Sequence, residues 1–108
     1  MIKIIDGKRY NTDTAKLIFS HENGRNQSDF DYISRDLYLT KNKAWFIHHF
    51  GGAHTYMGVP VGSNGIGSSQ SIEPIESDDA FYFLQAQSDE SEARNAIDAY
   101  FPGQVAEA

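Results

Sequence analysis

Arg35-Asp36-Leu37-Tyr38-Leu39-Thr40, then Lys41-Asn42-Lys43, then Ala44-Trp45-Phe46-Ile47-His48-His49-Phe50 is the stretch that decides the fold. Two runs rich in aromatic and branched residues flank three polar ones, which is the pattern of a β-hairpin. Period-two geometry sets Leu37 and Leu39 on one face opposite Tyr38, and Trp45 and Ile47 opposite Phe46, His48 and Phe50. The second strand therefore carries bulk on both sides. Such a strand is central in its sheet, or is covered by a helix on one face and by a loop or partner on the other. Gly51-Gly52 ends it.

Upstream, Ile2-Lys3-Ile4-Ile5 is short and β-branched, and Asp6-Gly7 behind it is a strong turn dipeptide leading into Lys8-Arg9-Tyr10. This predicts a small N-terminal hairpin. Thr12 is placed to cap a short helix over Asp13 to Phe19, with Asp13 near its positive end and Ala15 and Phe19 (or Ile18) on one side. Residues 20 to 28 are polar, contain Asn23-Gly24 and read as a loop, and apolar character returns at Phe30 and Tyr32.

Downstream, residues 58 to 71 are rich in glycine and serine without helical periodicity, and read as a long flexible connection. A short strand at Ile72 to Ile75 follows, with Pro74 favouring a sheet edge because it has no N–H to donate. Ser77-Asp78-Asp79 starts a helix that turns Ala80, Phe81, Phe83 and Leu84 inward and Tyr82 outward. Ser88-Asp89-Glu90 repeats the start signal. After it Ala93, Ala96, Ile97, Tyr100 and Phe101 recur at helical spacing until Pro102-Gly103. About six large side chains from these helices, at roughly 1.5–3 kcal/mol each, offer on the order of 10 kcal/mol of burial before entropy. The expected fold is α+β: one domain of residues 1 to 108, a small antiparallel sheet packed by two C-terminal helices, with a short N-terminal helix.

A chain of 108 residues with 40% hydrophobic and 13% aromatic composition holds enough apolar material for one core and no more. The absence of cysteine excludes disulfides and thiolate chemistry. No run approaches a membrane span and the first residues lack the apolar stretch of a signal peptide, so the expected location is the cytoplasm of a bacterial host.

Charge is divided unevenly. Residues 1–70 hold eight Lys/Arg against six Asp/Glu, a net +2, whereas residues 71–108 hold nine acids against Arg94 alone, a net −8. Such a segment repels nucleic acid and anionic lipid, and attracts basic protein surfaces. Asp78, Asp79, Asp89, Glu90 and Glu92 have a structural purpose, because each lies in a first helical turn where negative charge complements exposed amides. Capping does not require an excess of eight charges, however, and Tyr82, flanked by acids one turn away, has the amphipathic character of an interface residue. The candidate partner-binding residues are therefore Glu73, Glu76, Asp78, Asp79, Tyr82, Asp89, Glu90 and Glu92.

His48, His49 and His54 are the clustered histidines, but neighbours on a strand point to opposite faces and no acid lies in sequence between Asp36 and Glu73. One histidine is expected to cover the core, with the other solvated or at an interface. No metal or other cofactor is predicted. Gly62-Ser63-Asn64-Gly65-Ile66-Gly67 lacks the Gly-Lys-Ser/Thr ending of a phosphate cradle, and no Gly-x-Ser-x-Gly elbow occurs, so no catalytic residue is nominated.

Lys8-Arg9-Tyr10-Asn11-Thr12-Asp13-Thr14-Ala15, the hairpin from Asp36 to His48, and Gly51-Gly52-Ala53 together resemble small bacterial proteins carried by phages and mobile elements. Such elements also encode anti-CRISPR proteins, to which this chain is similar in type as a short, acidic domain. That resemblance implies an inhibitor that binds a Cas subunit or another nucleic-acid-binding protein and is not itself an enzyme. A small histidine-dependent metal protein or enzyme, and a homodimer formed through the aromatic hairpin, are the alternative expectations.

Overall fold

The computed structural model describes residues 1–24, 31–52, 57–61 and 65–108. Its centre is a four-stranded antiparallel sheet in the order β3 (Lys16–Glu22), β4 (Ile33–Leu39), β5 (Trp45–Gly51), β8 (Ser69–Ile75). A separate hairpin of β1 (Ile2–Ile5) and β2 (Lys8–Asn11) precedes it. Another, β6 (Val59–Val61) with β7 (Gly65–Gly67), lies between β5 and β8. Helices α1 (Ser77–Ala86) and α2 (Ser91–Tyr100) follow. The fold is α+β, as the residue pattern predicts.

The turns form where the local chemistry asks for them. Asp6 and Gly7 adopt φ of 51° and 76°, the left-handed pair that a two-residue hairpin turn requires. Between β4 and β5, the Lys43 amide donates to the Thr40 carbonyl (2.9 Å) and the Thr40 amide to the Ala44 carbonyl (2.9 Å), with Lys43 in the left-handed region at φ 67°. That is a three-residue hairpin loop.

β5 is central and covered on both sides. Trp45 and Ile47 join Phe19, Leu37 and Leu39 against Ala80 and Leu84 of α1, Ala93, Ala96 and Ile97 of α2, and Phe101 just beyond it. The Trp45 ring stacks on Phe101 at 5.5 Å and meets Tyr100 edge-on at 5.8 Å. On the opposite face Phe46 is fully buried, stacked on Tyr38 (5.1 Å) and met edge-on by Tyr10 of β2 (5.6 Å). Ile72 completes this second, smaller core. The aromatic face expected to need a second copy of the chain is thus covered by the chain's own α2 and β2.

Two expectations are corrected. The short helix over Asp13 to Phe19 is absent: residues 12 to 14 form a turn, and β3 begins at Lys16. A seven-residue helix buries a single narrow stripe, whereas as a strand this segment joins a ladder along β4 and inserts Phe19 into the larger core. The register slips by one at Ile18, a β-bulge that lets both Ile18 and Phe19 pack against the helix-side core. The glycine-rich run 58–71 contains the β6–β7 hairpin and the first residues of β8, because Ser69, Gln70 and Ser71 pair with Gly51, Phe50 and His49. Residues 62–64 within it, and 25–28 of the expected loop after β3, lie outside the described residues.

Phe46→Ala should cost about 3–5 kcal/mol, as expected when a fully buried aromatic leaves a cavity. Tyr82→Ala, at a side chain 64% exposed, should stay within about 0.5 kcal/mol. Urea unfolding of the two variants reads the difference, and equal losses would contradict the packing described.

Candidate functional site

The eight nominated residues fall in three places. Glu73 is on the helix-side face of β8, where its Oε1 lies 2.8 Å from His49 Nε2. Glu76, Asp78 and Asp79 surround the start of α1, and Asp89, Glu90 and Glu92 surround the start of α2. Both helices begin one or two residues away from the serines expected to cap them: the N-caps are Glu76 and Glu90. Asp79 Oδ2 accepts from the Glu76 amide at 3.2 Å, satisfying a donor that the helix start leaves open. Tyr82 points outward as expected, on the same face as Asp78 and Asp79 one turn before it.

A ten-residue helix is about 15 Å long, so the acids at the two helix starts are two centres and not one dense patch. Their surroundings differ. Glu76 and Asp79 line a depression shared with Lys8 and Lys43, which dilutes the negative field there. Glu90 and Glu92 line a shallow depression with Ser20, Glu22 and Ser91, and among the described residues no basic one lines it. Glu22 belongs to the weakly basic half of the sequence and joins this cluster because β3 packs beside α2. Among the described residues, no lysine or arginine forms an ion pair with any of the eight nominated side chains or with Glu22.

The histidines have partners that sequence distance conceals. His48 and His49 do point to opposite faces. On the face away from the helices, Asp36 stands beside His48 in the β4–β5 register and Ser20 stands beside Asp36 in the β3–β4 register. Ser20 Oγ donates to Asp36 Oδ1 (2.5 Å), His48 Nδ1 lies 4.0 Å from Asp36 Oδ2, and His48 Nε2 lies 2.7 Å from Gln70 Oε1. This chain of polar contacts crosses all four strands. It lies in a depression also lined by Tyr32, whose hydroxyl donates to Glu22 Oε2 at 2.9 Å.

Burial pushes the Asp36 carboxyl up, but its bonds with His48 and Ser20 and the imidazolium charge outweigh that and hold it below the usual carboxylate value. The Asp36 carboxylate in turn raises His48 above the ordinary imidazole value, against partial burial and with help from Gln70. The serine proton is directed to the carboxylate and not to the imidazole, so no activated nucleophile results. Among the described residues no three His, Asp or Glu side chains converge as metal ligands, and His54 lies outside them. No described helix is long and apolar enough to cross a membrane. No protein-family model matches the chain, and no curated protein or solved structure matches it either.

Because His48 is raised, its stabilisation is complete below the ordinary value of 6.5 and is lost as pH rises through the raised one. Because Asp36 is lowered, its contribution is complete above 3.8 and is lost as pH falls through the lowered one. Asp36→Asn should therefore destabilise most between those two values and progressively less at higher pH. It should also bring the His48 imidazole titration, followed by NMR, down toward 6.5. An unmoved midpoint would show that Asp36 does not govern the ring.

Proposed function

We propose that this chain is a protein-binding module that engages a cationic partner through the acidic side of its helical layer. It acts as an inhibitor in the manner of anti-CRISPR proteins by occupying a surface the partner uses for nucleic acid. The observation that carries this reading is the convergence of Glu22, Glu90 and Glu92 around one depression that no basic residue lines among the described residues. Carboxylates left without a basic partner produce a field that speeds encounter with a basic protein and disfavours nucleic acid itself. Asp89 lies in the turn just before α2 and extends this centre. Asp78, Asp79 and the exposed Tyr82 form a second contact zone along α1, where an aromatic ring gives packing area that charge alone does not.

The partner class supported best is a nucleic-acid-handling protein such as a Cas subunit, since a groove that binds phosphates is the surface to which such a field is complementary. The acids at the start of α2 weigh more in this reading than those at the start of α1, where Lys8 and Lys43 stand close by.

Asp89→Lys, Glu90→Lys and Glu92→Lys together should slow association with the partner by about tenfold or more at low salt, with a smaller effect on dissociation. The measurement is affinity capture from the native host with mass-spectrometric identification, followed by surface-based kinetics across a salt series. Capture that is unchanged by the triple reversal and insensitive to salt would discard this surface.

A further inference from the structure

The four-stranded sheet has two edges, and they are not alike. β8 carries Pro74, which interrupts its outer edge. β3 carries no proline, and none of the backbone groups that Lys16–Glu22 direct away from β4 has a hydrogen-bond partner among the described residues. After the bulge at Ile18, residues Phe19 to Glu22 pair with β4 in unbroken register, so their outer side is a regular ladder of free donors and acceptors about 13 Å long.

Beside that edge runs α2. Two shallow depressions lie end to end between β3 and α2 and share Glu92. One is lined by Glu22, Glu90 and Glu92, with one Glu22 carboxylate oxygen engaged by the Tyr32 hydroxyl. The other has Leu17, Ile18, Ala96 and Tyr100 on its wall with Lys16 and Asn95 at its rim, and Leu17 is 51% exposed. The result is a groove with a strand edge on one side, a helix on the other, acidic residues at one end, and at the other an apolar surface whose one cation, among the described residues, is Lys16, held over the Tyr100 ring.

We propose that an extended basic segment of the partner docks in this groove by adding a strand to β3. A lysine or arginine is seated among Glu22, Glu90 and Glu92, and an apolar side chain three or four residues away lies on Leu17 and Ile18. Main-chain bonds to Phe19–Glu22 supply affinity, and the two depressions select the side chains. Charge complementarity specifies the occupant: three acidic residues line the groove's end, and among the described residues no cation lines it. This inference rests on the reading above that the partner is cationic, and adds where and in what conformation it binds.

The probe is a capped eight-residue peptide of alternating lysine and valine, titrated into the isotope-labelled full chain at low ionic strength and followed by NMR. Amide shifts should concentrate on residues 16–22, and Glu22→Gln with Glu90→Gln and Glu92→Gln should weaken binding about tenfold in a chain that remains folded, the melting temperature falling only by the few degrees that lost helix-start charge accounts for. Two further peptides carry N-methyl groups on alternate nitrogens, one pattern the complement of the other. Only one edge of an added strand faces β3, so one pattern should abolish binding and the other should preserve it. Salt-sensitive binding that ignores both patterns overturns strand addition while leaving the anionic surface intact. Shifts that avoid residues 16–22, or no saturable binding, also overturn it, as does self-association by light scattering with those amides protected, which would assign the edge to a second copy.

Discussion

The structure depends on one strand that must be covered twice. β5 places Trp45 and Ile47 on one side and the fully buried Phe46 on the other, so neither face of the sheet can be left to water at this position. The chain meets the first demand with two amphipathic helices and the second with a short hairpin. Tyr10 of that hairpin and Tyr38 of β4 enclose the Phe46 ring. The two layers are unequal: the helices cover most of one face, while the hairpin covers only the part of the other around Phe46 and Ile72.

That inequality positions the polar features. Further along β5, on the hairpin side, the apolar residues give way to His48, and Ser20, Asp36 and Gln70 on the neighbouring strands stand in line with it. Two hydrogen bonds, Ser20 to Asp36 and His48 to Gln70, and the 4.0 Å contact of His48 with Asp36 link all four strands across a part of the face the hairpin does not reach. The histidine that looks like a catalytic or metal candidate in the sequence has a structural explanation here, since its charge answers Asp36 and its other nitrogen answers Gln70. On the helix side, His49 Nε2 lies 2.8 Å from Glu73 Oε1.

The acidic C-terminal segment, residues 71–108, is likewise reorganised by packing. Counted along the chain it is one block. In space, a helix length separates its two halves, basic residues of the N-terminal hairpin and the β4–β5 loop stand near one of them, and Glu22 reinforces the other. The side where β3 meets α2 thus combines a sheet edge left unpaired among the described residues, an apolar wall and a concentration of acidic side chains.

Local patterns in the sequence were sufficient for the hairpin of β4 and β5, the Asp6-Gly7 turn, both C-terminal helices with their buried faces, and the outward course of Tyr82. Each follows from residues within one turn or one pair of strands. The fate of residues 13–19 was not local: a short stretch with weak helical character becomes an edge strand because a ladder along β4 and a place for Phe19 in the core outweigh a helix too short to sustain itself. The pairing of Asp36 with His48 and of Glu22 with Glu90 and Glu92 was equally out of reach, since strand register and the packing of α2 beside β3 bring together residues 12 and about 70 positions apart. Secondary structure is set by neighbours in the chain. Which charges meet, and which edge stays open, is set by neighbours in space.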